Sequence, residues 1–369
     1  MLKNERCSLV YTGKLDERVV IDSLQPARLK ELKTVGKTGN NANMLIRGDN
    51  LPVLKKLLAD KEAGRLVNAD GTSGVRLIYL DPPFGTRLSF KMDAKDGLHA
   101  YHDRLTGAHY IDALRARLIL LRGLLSDDGS IYLHLDWKMS HYMKVMMDEI
   151  FGQENFLNEI IWHYGGRGAK AASGQFPRNH DAILLYRNKA HIFNRQYLGK
   201  RIKKGASGVQ RDDEGRWFKT APRGDYTDAS IASLSRQGRI YKTRTNKLRI
   251  KYFLREDGEW LIEDKPIGDV WDDIPDAMHL SEAEKTGYPT QKPLVLLERI
   301  INTSSNKGDT VLDAFCGSGT TLVAAARLGR RWIGIDSGPL AIKTAQTRLK
   351  EVYIKGHTSV SFSTYKADR

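Results

Sequence analysis

The sequence predicts a doubly wound α/β fold with a mostly parallel sheet. Short apolar segments alternate with helical segments of about 10–15 residues, first over residues 43–162 and again over residues 281–354. Between these two regions, residues 163–280 are rich in glycine and basic residues and lack that alternation. Because alternating strands and helices form parallel sheets, both regions are predicted to build one sheet that carries residues 163–280 as an insertion.

The first α/β region follows the apolar pattern of the chain. Pro52 suits the first turn of a helix that begins after Gly48-Asp49-Asn50, and Gly129 ends a second helix. In order, the predicted elements are strand 43–47, helix 51–58, strand 75–80, helix 110–125, strand 130–135 and helix 138–151.

The remaining elements are predicted in the same way. Inside the insertion we expect a strand at 182–186 and a hairpin around Asp257-Gly258. The second α/β region is predicted to contain helix 293–304, strand 310–315, helix 320–328, strand 331–336 and helix 339–352. Residues 1–42 are predicted to form an N-terminal arm and residues 355–369 a C-terminal tail.

The positive charge of the chain is concentrated in the insertion. The formal net charge is +15, and residues 187–256 contain 19 lysines and arginines against 6 acidic residues. Aromatic residues such as Trp217 and Tyr252 are interleaved with these basic residues. A basic block of this kind is typical of a surface that binds nucleic-acid phosphates, so we expect a polyanion as partner.

The cysteine content and hydropathy limit the cellular compartments in which the protein is expected. Cys7 and Cys316 are the two cysteines of the sequence, which gives no disulfide framework and favours the reducing cytoplasm. No segment approaches the roughly 20 apolar residues of a membrane span, and the N-terminus lacks the apolar core of a signal peptide. We therefore expect a cytoplasmic, nucleoid-associated protein with no membrane partner.

A rigid acidic segment, Asp81-Pro82-Pro83-Phe84, follows the predicted strand 75–80. Exocyclic amines of adenine and cytosine are poor nucleophiles because the nitrogen lone pair is delocalised into the ring. The Asp81 carboxylate and a proline carbonyl could accept both N–H groups of such an amine, and proline fixes the direction of that carbonyl. Phe84 offers a face for stacking an extruded base. We name this segment the clamp.

A glycine-rich turn, Asp313-Ala-Phe-Cys-Gly-Ser-Gly319, follows the predicted strand that begins at Thr310. Asp336 ends the next strand, where a carboxylate can accept hydrogen bonds from ribose hydroxyls. Leu322 stands where the pyrophosphate fingerprint has its third glycine, so a nicotinamide cofactor is less favoured than S-adenosylmethionine. Methylation at cytosine C5 is also disfavoured, because Cys316 lies in the turn and Cys7 in the arm.

These segments resemble the β-group of amino-directed DNA methyltransferases, in which the clamp precedes the recognition insertion and the cofactor turn comes last. The resemblance implies a seven-stranded Rossmann-like methyltransferase sheet, with residues 43–162 as its catalytic half, 163–280 as the target-recognition insertion and 281–354 as the cofactor half. The segments that carry it are Gly48–Leu54, Leu77–Phe84, Arg117–Phe151, Tyr288–Pro293, Asp313–Thr321 and Trp332–Asp336.

The resemblance also implies roles for individual residues. Asp81, Pro82, Pro83 and Phe84 would form the catalytic site. S-adenosylmethionine, with S-adenosylhomocysteine as product, would be held by Asp49, Asp81, Thr290, Gln291, Lys292, Pro293, Phe315, Gly317, Ser318, Gly319, Thr320 and Asp336. Asp49 would contact the adenine and Thr290–Pro293 would border the methionine end. No metal ion is expected.

The same reasoning predicts a sequence-specific adenine-N6 methyltransferase acting on double-stranded DNA. The aspartate at position 81 favours adenine, since cytosine-N4 enzymes of the family often carry serine there. The candidate DNA contacts are Arg178, His180, Arg236, Arg239, Lys242 and Arg244, whereas His134 and Asp136 are interpreted as a structural pair. A homodimer and a cognate restriction endonuclease are further candidate partners. Cytosine-N4 methylation and an inactive DNA-binding regulator stay open, and an RNA or protein-glutamine methyltransferase is less favoured.

Overall fold

A ten-stranded mixed sheet organises most of this chain, for which a computed structural model describes residues 7–36, 43–84, 89–91, 99–102, 107–165, 174, 176–354 and 361–368. The chain divides into two compact units, and the sheet belongs to unit 1, which comprises residues 1–194 and 269–369. Unit 2 is the segment Arg195–Gly268. The predicted insertion 163–280 is therefore wider than the separate unit, because its first strand pairs within the sheet of unit 1.

The helices and strands of unit 1 come from both ends of the chain. Its helices are α1 (Glu17–Asp22), α2 (Asn50–Glu62), α3 (Gly107–Leu124), α4 (Ser140–Phe151), α6 (Leu294–Ser304), α7 (Thr320–Arg327) and α8 (Pro339–Ile354), with 3₁₀ turns at Gln153–Asn155 and Ala277–His279. Its strands are β1 (Arg28–Val35), β2 (Asn43–Arg47), β3 (Val75–Leu80), β4 (Ser89–Lys91), β5 (His99–His102), β6 (Leu125–Leu135), β7 (Phe156–His163), β8 (His180–Arg187), β16 (Val270–Trp271), β17 (Thr310–Asp313), β18 (Arg331–Asp336) and β19 (Phe362–Asp368).

The large sheet has the strand order β1-β19-β2-β18-β17-β3-β6-β8-β7-β16. The strands from β19 to β6 run parallel, whereas β8 is antiparallel to both of its neighbours and β1 is antiparallel to β19. The α/β class and the mostly parallel sheet are confirmed, with ten strands instead of seven. The neighbouring parallel strands β2, β18, β17, β3 and β6 all have their carboxyl ends at the same edge of the sheet.

Helices cover both faces of this sheet. Residues of β3 are buried throughout, and alternate side chains of a strand point to opposite faces. Ile78 and Leu80 join one core with the buried faces of α2, α3 and α4. Helices α6, α7 and α8 pack against one another and against strands of the same sheet. This double cover explains why the central strands read as continuous apolar runs.

The predicted arm and tail contain ordered structure, which corrects the sequence interpretation. Strand β1 lies in the arm and β19 in the tail, and the two pair with each other at the edge of the large sheet. Most residues of β1 are exposed, and the strand is held by backbone pairing. Its sequence therefore lacks the alternation of apolar and polar residues that predicts a strand. Among the described helices, none is long and apolar enough to cross a membrane.

Unit 2 is mainly β structure. It contains β9 (Tyr197–Lys203), β10 (Gln210–Arg211), β11 (Trp217–Pro222), α5 (Asp228–Arg236), β12 (Ile240–Lys242), β13 (Leu248–Phe253), β14 (Arg255–Asp257) and β15 (Trp260–Pro266). The strands form a four-stranded sheet, β10-β11-β13-β12, and a three-stranded sheet, β14-β15-β9. The hairpin predicted around Asp257-Gly258 is present as β14 and β15. Ile202, Leu254 and Leu261 form a small buried core.

Candidate active site

A cavity of about 350 Å³ lies at the carboxyl edge of the parallel strands. Its lining combines residues that follow β2, β3, β17 and β18, together with the loop before α6. The candidate residues that line it are Asp49, Asp81, Pro83, Thr290, Gln291, Lys292, Phe315, Gly317, Ser318, Thr320 and Asp336. The structure therefore brings two of the four clamp residues, Asp81 and Pro83, together with most of the glycine turn, because β3 and β17 are adjacent parallel strands.

The clamp carboxylate makes an ion pair inside this cavity. Asp81 Oδ2 lies 2.5 Å from Lys292 Nζ, although 211 residues separate the two in sequence. Lys292 Nζ also lies 5.4 Å from the centroid of the Phe84 ring. Pro82 is buried, and Phe84 is half-buried beside the cavity without lining it. The acid, the lysine and the aromatic ring thus form one contiguous group.

The glycine turn is held in place by Asp336. One carboxylate oxygen accepts a hydrogen bond from the Gly317 amide at 2.9 Å and the other accepts one from Gly338 at 2.7 Å. Burial raises the pKa of Asp336, and these two amides oppose that shift. A carboxylate offers about four lone-pair positions, so two remain for hydroxyl donors of a ligand.

Two features behind the turn fix its backbone. Gly319 has φ of +80°, and a Cβ at this position would lie 2.7 Å from the Cβ of Ala345 on α8. The half-buried Arg348 on α8 donates from its guanidinium to the Ser318 carbonyl at 3.0 Å and to the Thr320 hydroxyl at 2.8 Å. Only glycine fits position 319 without displacing α8. Gly319 therefore shapes the turn from behind and does not line the cavity.

Asp313 is the most deeply buried acid of the cavity. Burial raises the pKa of Asp313 to about 7, and the charges of Asp81 and Asp336 act in the same direction against two hydrogen bonds. These bonds come from the Thr321 hydroxyl at 2.6 Å and the Phe315 amide at 2.9 Å. The protonated form of this carboxyl is therefore favoured up to a much higher pH than in an ordinary aspartate.

The raised pKa of Asp313 predicts a pH dependence of folding stability. An aspartate titrates near 3.9 when unfolded, so its protonated form is favoured in the folded protein. Its contribution is complete below about pH 3.9 and is lost as the pH rises through about 7, a change on the order of a few kcal/mol. In denaturant titrations from pH 5 to 9, Asp313→Asn should fall less in stability than the wild type. Parallel curves would contradict this.

The predicted adenine contact, Asp49, has structural partners. It caps α2 by accepting the Leu51 amide at 3.1 Å, and its carboxylate pairs with Arg117 at 3.0 Å. The neighbouring Asn50 side chain donates to the Ala314 carbonyl at 2.7 Å. These residues line one wall of the cavity, and the half-exposed Asp49 carboxylate retains acceptor positions for a ligand.

The loop before α6 is pinned by Gln291. Its side-chain oxygen accepts hydrogen bonds from the Thr286 amide and hydroxyl, and its nitrogen donates to the Glu284 carbonyl at 2.8 Å. Thr290 has φ of 61°, a left-handed conformation that is uncommon for threonine. Pro293 caps α6 and does not line the cavity. Gln291 therefore has a structural role in this loop, and its cofactor role stays a prediction.

His134 and Asp136 do not form the expected pair. His134 Nδ1 lies 2.8 Å from the Tyr79 hydroxyl, and Nε2 lies 3.1 Å from Asp181. Asp136 instead accepts the amide of Lys138 at 3.0 Å. The pairing differs because β8 is antiparallel to β6 and places Asp181 beside the end of β6, which sequence spacing does not reveal.

The candidate DNA contacts fall in both units. His180 begins β8, at the same sheet edge as the clamp, and Arg178 lies two residues before it. The Arg178 guanidinium lies 3.8 Å from the centroid of the Trp137 ring. In unit 2, Arg236, Lys242 and Arg244 are exposed. Arg239 is half-buried and donates to the Lys251 carbonyl at 3.3 Å. Arg239 therefore also supports the fold of unit 2.

Sequence reasoning missed several residues of the cavity. Tyr79 precedes Asp81 by two positions, so the period of a strand could have placed it on the same face. Arg117 and Asn50 lie on helices α3 and α2, where an apolar pattern indicates the buried face but does not single out polar residues. No His, Cys, Asp or Glu cluster suited to a metal ion occurs within the described parts of the chain. The missed residues are Asn50, Tyr79, Arg117, Tyr288, Leu297 and Ser337.

Comparison with known proteins adds the family context. Residues 75–347 match a family model described as DNA methylase. The chain is 34% identical to the type II methyltransferase M.EcaI of Enterobacter cloacae over 93% of this chain and 77% of that protein. It is 27% identical to the DNA adenine methyltransferase YhdJ of Escherichia coli over 84% of each. It is 24% identical to a probable type III restriction-modification Mod subunit, HindVI, of Haemophilus influenzae over 84% of this chain and 50% of that protein.

Proposed function

The chain belongs to the DNA methylase family, and from that premise we propose that it transfers a methyl group from S-adenosylmethionine to adenine N6 at a specific site in double-stranded DNA. One observation carries this proposal. Residues of the clamp and of the glycine turn, which are far apart in sequence, line a single cavity at the carboxyl edge of adjacent strands. In open α/β sheets this edge is where ligands bind.

The cavity fits S-adenosylmethionine, which supplies an electrophilic methyl group on a sulfonium. The remaining lone pairs of Asp336 suit two ribose hydroxyls, and the Gly317 backbone permits close approach of the ligand. Phe315 adds an apolar wall beside this turn. S-adenosylhomocysteine would be released from the same residues, and the reaction needs no metal ion for charge balance.

The clamp would orient the target base. The adenine is extruded from the duplex, stacks on Phe84 and donates an N6 hydrogen to Asp81, while a proline carbonyl accepts the second. Holding both hydrogens makes the N6 lone pair available. That lone pair would form the C–N bond to the methyl group that S-adenosylmethionine supplies, the C–S electrons would stay on sulfur, and N6 would release one proton to solvent.

Adenine is favoured over cytosine by two observations. Position 81 is aspartate, and one relative, YhdJ, is named an adenine methyltransferase. The names of M.EcaI and HindVI place those relatives among type II methyltransferases and type III restriction-modification enzymes, which suggests a modification enzyme here. A homodimer and a partner endonuclease stay predictions.

Unit 2 is proposed as the reader of the DNA site. The basic block at residues 187–256 lies largely within it, and Arg236, Lys242 and Arg244 present exposed charges suited to phosphates. Arg178 and His180 would contact the strand next to the extruded base, since both lie at the edge that carries the clamp.

The proposal predicts the identity of the methylated nucleoside. DNA incubated with the protein and methyl-labelled S-adenosylmethionine should contain N6-methyladenosine as its deoxynucleoside after enzymatic digestion, detected by mass spectrometry. Base-resolved mapping of the same DNA should place the mark in one recurring sequence. N4-methylcytosine would establish the alternative activity, and cofactor binding without any methylated base would support an inactive regulator.

A further inference from the structure

Asp81 and Lys292 form a paired acceptor and donor inside the cavity. The carboxylate oxygen and the ammonium nitrogen are 2.5 Å apart, and their side chains are only 19% and 11% exposed. The ammonium also lies 5.4 Å from the centroid of the Phe84 ring, on which the target base is proposed to stack. A base stacked on this ring would therefore lie within reach of both groups.

The Watson–Crick edges of the four bases differ in the order of donor and acceptor. Adenine presents the N6 amino donor beside the N1 acceptor, and cytosine presents N4 beside N3 in the same order. Guanine and thymine present a carbonyl acceptor beside a ring N–H donor. An acceptor next to a donor in the protein therefore complements adenine and cytosine and opposes guanine and thymine.

We infer that Lys292 is a specificity-determining residue that donates a hydrogen bond to N1 of the extruded adenine while Asp81 accepts from N6. This inference rests on the proposed function, because it concerns the base held at the same clamp. It assigns to Lys292 a contact with the target base, in addition to the cofactor border predicted from the family resemblance.

The surroundings of Lys292 suit such a role. An ammonium has three N–H donors, and its bond to Asp81 uses one of them. On one side Gln291 is anchored by its three hydrogen bonds to residues 284–286, and on the other Pro293 is the N-cap of α6. The backbone at Lys292 is therefore fixed on both sides, which limits the entropy lost on forming a directed hydrogen bond.

Rejection of the wrong base would follow from the same pair. A guanine at the clamp would bring its O6 against the Asp81 carboxylate and its N1–H against the Lys292 ammonium. One acceptor would then face another acceptor, and one donor would face another donor, away from bulk water. Such unpaired polar groups disfavour the wrong base more strongly than the mere loss of a contact would.

A substrate analogue tests the contact directly. The recognition duplex is prepared with adenine, 1-deazaadenine or 7-deazaadenine at the target position, and kcat/KM is measured for the wild type and for Lys292→Met. The wild type should lose roughly 10- to 100-fold with 1-deazaadenine, because a charged hydrogen bond to N1 is removed. Lys292→Met should treat adenine and 1-deazaadenine nearly alike. The 7-deazaadenine duplex, which keeps N1, is the matched control and should affect both proteins equally.

Several outcomes decide between the possibilities. If kcat/KM falls by the same factor with 1-deazaadenine in both proteins, the inference is overturned, because the loss of activity would then not depend on Lys292. Lys292→Arg, which keeps a donor, should regain part of the discrimination. Duplex affinities measured with S-adenosylhomocysteine present should repeat the pattern, so a variant with little turnover still reports. If the wild type methylates no adenine, the proposed function fails first, and that result is read from the unmodified duplex alone.

Discussion

Replacing Asp81 by alanine is expected to lower the rate of methyl transfer by at least about a hundredfold while S-adenosylmethionine still binds. The carboxylate is the acceptor that orients the target amine, and it also balances the Lys292 ammonium at 2.5 Å. Without it, the Lys292 ammonium would lose its counter-charge and the target amine would lose its acceptor. The effect should therefore fall on kcat, measured in single-turnover experiments with DNA and cofactor at saturation.

The Asp81 prediction needs two controls. Calorimetric titration of Asp81→Ala with S-adenosylmethionine should give an affinity near that of the wild type, since Asp336 and the glycine turn are untouched. Asp127→Ala makes the same change in the amino-terminal half of β6, where the side chain is 74% exposed and pairs with Lys189, and should leave the rate unchanged. Turnover retained by Asp81→Ala would refute the assigned role.

The placement of the site was predictable because it depends on strand order and direction. Asp81 and Asp313 each follow a buried run, and parallel strands deliver their carboxyl ends to one edge, so two short motifs sufficed to predict a shared site. Residue periodicity also located most helices of unit 1 to within a few residues, since most of these helices bury one apolar face.

Other features depend on contacts that periodicity does not encode. The bond between Lys292 and Asp81 is made by a long side chain across 211 residues, and no spacing rule connects the two. The pairing of His134 with Asp181 follows from the antiparallel insertion of β8 beside β6. The edge strand β1 is held by backbone hydrogen bonds to β19, so its exposed side chains carried no signal.

Removing exposed positive charge at and near strand β12 of the four-stranded sheet in unit 2 is expected to weaken DNA binding strongly. We expect the triple variant Arg236→Ala, Lys242→Ala and Arg244→Ala to bind duplex DNA on the order of 100-fold more weakly at about 0.15 M salt. Each lost phosphate contact releases about one counterion fewer, so the slope of log affinity against log salt should become shallower by up to about 3. Fluorescence anisotropy over a salt series measures both quantities.

A matched variant separates this effect from a general loss of charge. Lys200→Ala, Lys203→Ala and Lys265→Ala remove the same charge from exposed positions of β9 and β15, in the other sheet of unit 2. If phosphates bind only at Arg236, Lys242 and Arg244, this second variant keeps the wild-type slope. Arg239 is left intact in both, because its bond to the Lys251 carbonyl would confound folding with binding. If both triple variants instead show the same slope of log affinity against log salt, unit 2 attracts DNA through its overall charge. Recognition of the DNA sequence would then depend on groups other than Arg236, Lys242 and Arg244.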